Sequence, residues 1–215
     1  KKTDEPILHD RFHDYQIIDK DYTINSNLQI KKFDVRPQGI EPTTGLGRLA
    51  RADKTSVFAS PKQRIKILPN DKYIPKVLMT TGFATKPQYA SGFAISSKAR
   101  HDHKIGALVV EVEDNQIFHY RHIDSLVNGK FCDLNKEYSG KKVKLIKPNI
   151  IFGDIHAADL NKQVHKANLE MIKLYKPGNI ILHDVFDGKS INHWSEKKQI
   201  DKVREYDKIK LSLHK

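Results

Sequence analysis

The sequence predicts an α/β chain, α+β overall, in which a β-rich basic stretch leads into a strand–helix–strand unit. Three observations carry this prediction. Short apolar runs punctuated by Pro61, Pro69 and Pro75 give residues 55 to 147 a β texture. Apolar residues recur at helical spacing from Val164 through Ala167, Met171 and Leu174 to Tyr175. Two apolar runs, Asn149-Ile-Ile-Phe and Asn179-Ile-Ile-Leu, stand on either side of that helix and read as buried parallel strands.

Residues 1–45 mix short apolar patches (Tyr15-Gln-Ile-Ile, Leu28-Gln-Ile) with Asp, Asn and Pro, and read as an irregular N-terminal segment. Residues 46–145 form the β-rich basic segment. Its first strands are Ser56-Val-Phe-Ala, Arg64-Ile-Lys-Ile-Leu and Lys76-Val-Leu-Met, and Ile105-Gly-Ala-Leu-Val-Val-Glu-Val is its strongest. Asp114-Asn115 then turns the chain into Ile117-Phe-His-Tyr-Arg-His-Ile, completing a hairpin. Phe131 to Leu145 adds a further strand or two. Residues 146–215 open a separate unit. Its first strand ends at Gly153-Asp154, its helix is stopped by Lys176-Pro177-Gly178, and its second strand ends at His183-Asp184. A right-handed crossover is expected for such a βαβ unit. Past Trp194, the spacing of Ile200, Val203 and Tyr206 predicts a second helix.

Composition narrows the function classes. The 215 residues suffice for one sizeable domain, or for a small domain joined to part of another. No apolar run approaches the roughly 20 residues that span a bilayer, so no membrane partner is expected. KKTDEPILHD has no signal-like apolar core, and its opening Lys in place of Met is what a trimmed or partial chain would show. The lone Cys132 excludes an internal disulfide framework and fits a reducing cytoplasm. A net charge of +12 favours a polyanion, with DNA first and an anionic membrane surface second; a lysine-rich proteome is the blander account.

The chemistry concentrates at the two strand ends of the βαβ unit. Ligands collect at the carboxyl ends of strands in an open parallel sheet. Asp154 and Asp184 each follow an apolar run, so neighbouring strands would bring them within about 5 Å, close enough to share a cation. His156 follows two residues after Asp154. Carboxylate oxygen mixed with imidazole suits Mn²⁺, Fe or Zn²⁺ better than Ca²⁺. A carboxylate bridging two metals is the usual arrangement for phosphodiester hydrolysis.

GDIH, a βαβ crossover and HDVFD resemble the first two signature motifs of the calcineurin-like metallophosphoesterases, Asp-x-His and Gly-Asp-x-x-Asp. Within that superfamily they look most like the DNA-repair exonuclease branch. The wider pattern of TTGFATKPQY, GALVVEVE, GDIHA and HDVFDGKSINHW resembles the first-step-transfer proteins of large tailed phages, which are associated with host DNA degradation. The wider resemblance covers most of the chain from residue 40, whereas the superfamily motifs cover only residues 153 to 193.

The resemblance implies two divalent ions, Mn²⁺ first, with Mg²⁺, Fe or Zn²⁺ as alternatives. Asp154 and His156 would hold one metal, Asp184 would bridge both, and Asp187 would orient a ligand. The chain departs from the family in two places. His183 stands where the family usually has Gly, implying a stiffer loop or an added phosphate contact. The later Gly-Asn-His and Gly-x-His-x-His motifs are not recognisable in this sequence. Asn192-His193 matches part of the third motif in letters but follows Asp184 by only eight residues. Asn192 and His193 are expected to line the site, contacting phosphate or protonating the leaving oxygen; direct ligation and a plain surface turn are the other readings.

Several lookalikes carry less. His101-Asp-His103 is read as a polar loop before a strand, with no second ligand cluster. GLGRLARADKT lacks P-loop spacing and is read as a flexible basic loop, with Arg48, Arg51 and Lys54 available to a DNA backbone. Asp159 fits helix capping. Cys132 has no base partner, and no Ser sits in a nucleophile elbow. Tyr89, Phe93, Tyr120 and Trp194 are more often core residues than base-stacking platforms.

The sequence therefore predicts a metal-dependent DNA phosphodiesterase, or nuclease, whose basic N-terminal part grips the backbone without reading sequence. The alternative is a non-enzymatic DNA-binding or assembly protein with an incomplete phosphoesterase fold. A homo-oligomer is one way in which missing ligands would be supplied.

Overall fold

The computed structural model describes residues 10–50, 53–70, 76–156, 160–185 and 207. It is mixed α and β, as the sequence predicts, and divides after Cys132 into two units.

The first unit is built on a five-stranded sheet. Its strands are β1 (Tyr22–Thr23), β2 (Leu28–Ile30), β3 (Thr55–Phe58), β4 (Ile65–Leu68) and β5 (Lys76–Thr80), in the spatial order β1-β2-β3-β5-β4. The β2–β3 and β3–β5 pairs are parallel, while the flanking β1–β2 and β4–β5 pairs are antiparallel. The residues before position 45, read from sequence as irregular, thus supply two strands of the sheet. Their polar composition hides Leu28, which the sheet buries completely.

Alternation along β3 and β5 sends side chains to both faces of the sheet. Val57, Val77 and Met79 join Leu28 on one face, with Ile24, Leu108, Val110 and Phe118 packed against them. Phe58 and Leu78 join Ala50 and Leu68 on the other, under Phe33, Val35 and Leu46. Both central strands are buried along their whole length, while the edge strand β4 is exposed except at Leu68. Each such side chain contributes about 1.5–3 kcal/mol of burial. Within GLGRLARADKT, read from sequence as a flexible loop, Leu46–Arg48 forms a 3₁₀ turn and Ala50 lies in the core, while Arg51 and Ala52 lie outside the described residues.

The helix α1 (Ala94–Asp102) precedes the predicted hairpin of β6 (Gly106–Val112) and β7 (Phe118–Asp124), which pair in one unbroken antiparallel register. Backbone carbonyls of the hairpin turn fasten it to the β1–β2 turn: Asn25 Nδ2 donates to Asp114 at 3.2 Å and Asn27 Nδ2 to Gln116 at 2.7 Å. At Gly106 a Cβ would sit 2.4 Å from the Ile123 carbonyl oxygen, so only glycine fits. Strand β8 (Phe131–Asp133) carries the chain across the boundary.

The second unit opens with the hairpin β9 (Lys136–Ser139) and β10 (Lys142–Leu145). The predicted βαβ unit follows as β11 (Asn149–Asp154), α2 (Lys162–Tyr175) and β12 (Asn179–His183), with the two strands parallel. Asn161 caps the helix by accepting from Gln163 N at 3.0 Å and Val164 N at 3.2 Å. Lys176, at φ 45°, ends it in the left-handed conformation. None of the α2 residues is buried and β12 is exposed along its length, departing from the expected buried strands. Among the described residues, one helix and two strands do not cover both faces of this sheet.

Candidate functional site

β11 and β12 end side by side, and their ladder continues past the last strand residues. Ile155 N donates to the His183 carbonyl at 3.0 Å, and His156 N to the Asp184 carbonyl at 2.9 Å. The backbones of Asp154, His156 and Asp184 therefore meet at the carboxyl end of the two strands, the end at which ligands collect in open parallel sheets.

Register sets which side chains face each other. Ile151 pairs with Ile181, but Asp154 pairs with His183, so β11 carries one extra residue across Phe152-Gly153. This bulge re-aims the strand end, as bulges beside functional sites commonly do. Without it Asp154 would stand opposite Asp184; with it the partner is His183. Sequence reading treated His183 as a departure from the motif and missed this pairing, because register across a bulge has no local signature.

His156 and Asp184 each have φ of 42°, in the left-handed region that side-chain-bearing residues seldom occupy. Such conformations cost of order 1–3 kcal/mol and concentrate at active sites and ligand clamps. Asp184 and Asp154 are exposed, whereas Nδ1 of His156 is shut off from solvent. Two carboxylates and an imidazole form a donor set that fits a divalent cation. Among the described residues, however, no three His, Cys, Asp or Glu side chains gather around one point where a metal ion would sit. The structure brings the backbones of the three candidates together without converging their side chains on a common centre.

Asp159, Asp187, Asn192, His193 and Trp194 lie outside the described residues. The cap assigned to Asp159 is provided by Asn161. His101-Asp-His103 does not form the polar loop read from sequence: its first two residues complete α1 and His103 follows as the cap. Its side chains diverge. His101 Nδ1 lies 3.3 Å from Asp102 Oδ1, Asp102 Oδ2 accepts from the buried Lys62 Nζ at 3.2 Å, and His103 turns toward Tyr89. Among the described residues, no helix is long and apolar enough to cross a membrane.

No family model matches the chain, and no solved structure matches it. Among curated proteins it is similar to Protein A1 of Escherichia phage T5, at 26% identity over 220 residues. That alignment takes in 93% of this chain and 38% of the phage protein, so the chain spans well under half of its relative's length.

Proposed function

We propose that the chain carries a metal-dependent phosphodiesterase site at the carboxyl ends of β11 and β12, acting on DNA during phage-directed degradation of the host genome. The observation that carries this reading is the side-by-side ending of two parallel strands, with Asp154, His156 and Asp184 at the shared end and two of those residues in the left-handed conformation. The similarity to a phage protein and the net charge of +12 support the setting and the substrate.

Asp154, His156 and Asp184, whose backbones meet here, would have to re-aim their side chains to hold a metal, Mn²⁺ first. When bound, such an ion supplies Lewis acidity and activates water for attack on phosphorus. The chain's own residues do the rest. The continued ladder fixes the spacing of the two strand ends, and His156 and Asp184 hold the left-handed conformation at that end. His183, paired with Asp154 in the ladder, would add a phosphate contact where the related motif has no side chain. Basic residues of the first unit would add contacts to the DNA backbone that carry no sequence preference.

The test is calorimetric titration of Mn²⁺ into the whole chain beside Asp184→Asn. Saturable binding that the substitution removes supports the site. Absence of binding in the parent chain overturns it. The net charge favours a second reading, a non-enzymatic DNA-binding protein. Duplex binding without metal uptake or cleavage would select that reading.

A further inference from the structure

The first unit holds a cavity of about 480 Å³ remote in sequence from the strand-end residues, lined by Phe83, Thr85, Lys86, Gln88, Tyr89 and His103 among others. Its size falls in the range of about 300–1,000 Å³ typical of small-molecule sites. Its wall is a fixed cluster of three rings. Phe83 and His103 meet edge to face at 6.2 Å, and Tyr89 and His103 do so at 5.9 Å.

Hydrogen bonds lock that cluster. His103 Nε2 lies 2.8 Å from the Thr85 carbonyl, which can only accept, so Nε2 carries the proton. In the neutral ring Nδ1 is then an acceptor, and the Tyr89 hydroxyl donates to it at 3.0 Å. Arg100 Nη2 donates to the Tyr89 carbonyl at 2.9 Å, tying the loop to α1. Gly82, at φ 85°, turns the chain into the loop. The phenol is thus committed to His103, while Lys86 and Gln88 remain exposed on the same loop.

We infer that this cavity binds one nucleotide of a single-stranded nucleic acid. The aromatic wall would stack the base, Gln88 would meet its polar edge, and the Lys86 ammonium would meet the phosphate. A nucleotide joins a flat aromatic ring to a phosphate, the two features that an aromatic wall and a nearby ammonium would hold. A chain of net charge +12 favours it over an uncharged aromatic metabolite. The inference rests on the proposed function only for the choice of nucleic acid, since no metal enters the cavity's chemistry.

The test uses the full chain in EDTA, so failure of the metal site leaves it untouched. dAMP is titrated by calorimetry and fluorescein-labelled (dA)10 by anisotropy, with inorganic phosphate and O-phosphotyrosine as comparison probes. The decamer is expected to bind at least as tightly as dAMP, and both more tightly than either comparison probe. Tyr89→Leu should weaken both nucleic-acid probes by roughly tenfold or more, the loss of one stacked base. Lys86→Glu, on an exposed loop where folding is not at risk, should weaken them similarly and reduce the salt dependence. Absence of binding by the parent chain overturns the inference, as does tighter binding of phosphotyrosine. Unchanged affinity in Lys86→Glu overturns it even if Tyr89→Leu fails to fold. Tighter binding of dAMP than of the decamer would assign the cavity to free nucleotides and overturn the strand assignment.

Discussion

Asp102→Ala is expected to be among the most damaging single substitutions in the first unit. The side chain of Lys62 is 1% exposed, and its Nζ has two oxygen partners at 3.2 Å, Asp102 Oδ2 and the Ile40 carbonyl. Removing the carboxylate leaves a buried ammonium with one neutral acceptor. Breaking a buried pair from one side costs about 3–5 kcal/mol. Asp102 itself is 18% exposed, so some solvent already reaches the pair, and about 3 kcal/mol is the working figure. Against a total of about 5–15 kcal/mol, that is a large fraction. With a urea slope of about 1–3 kcal/mol/M, the unfolding midpoint should fall by roughly 1 M or more at an unchanged slope. Lys62→Met removes the buried charge instead and leaves a carboxylate that can reach water, so it should cost clearly less. A change of under about 0.5 kcal/mol for Asp102→Ala, the range of ordinary surface substitutions, would refute the reasoning. The same pair gives a pH signature. Hydrogen bonds from His101 and then from Lys62 hold the Asp102 carboxyl below its ordinary 3.8. The unfolded chain therefore takes up this proton first on acidification. The stabilisation is complete above 3.8 and disappears as pH falls through the lowered folded-state value. In Asp102→Ala that part of the acid dependence should be missing from urea midpoints measured across this range.

Other substitutions probe single features. Gly106→Ala forces a Cβ to within 2.4 Å of the Ile123 carbonyl and should cost about 1–3 kcal/mol, read as a lowered thermal midpoint. Asn161→Ala removes both cap hydrogen bonds of α2 and should cost about 1 kcal/mol, visible as faster amide exchange in the first helical turn. Asp184→Gly relieves a left-handed φ of 42° and should leave stability unchanged or raised, while removing Mn²⁺ uptake; lowered stability would show that the carboxylate is structural.

The sequence by itself determined the elements whose signals are local. Short apolar runs punctuated by prolines mark β3 and β5, a strong apolar run followed by alternation marks the β6–β7 hairpin, and a 3.6-residue repeat closed by Lys176-Pro177-Gly178 marks α2. It also marked the strand ends that carry Asp154, His156 and Asp184, because apolar runs ending in acidic residues are visible without a partner strand. Tertiary structure decided what depends on distant partners. The short helix α1 has no apolar stripe to announce it, and only packing buries Ser96 and Ala99. Lys62 reads as a surface residue until Asp102, forty positions later, arrives to neutralise it. Tyr89 and His103 become a pair only when α1 returns the chain beside the loop. His183 rather than Asp184 faces Asp154 because one extra residue in β11 shifts the pairing, and register belongs to two strands at once.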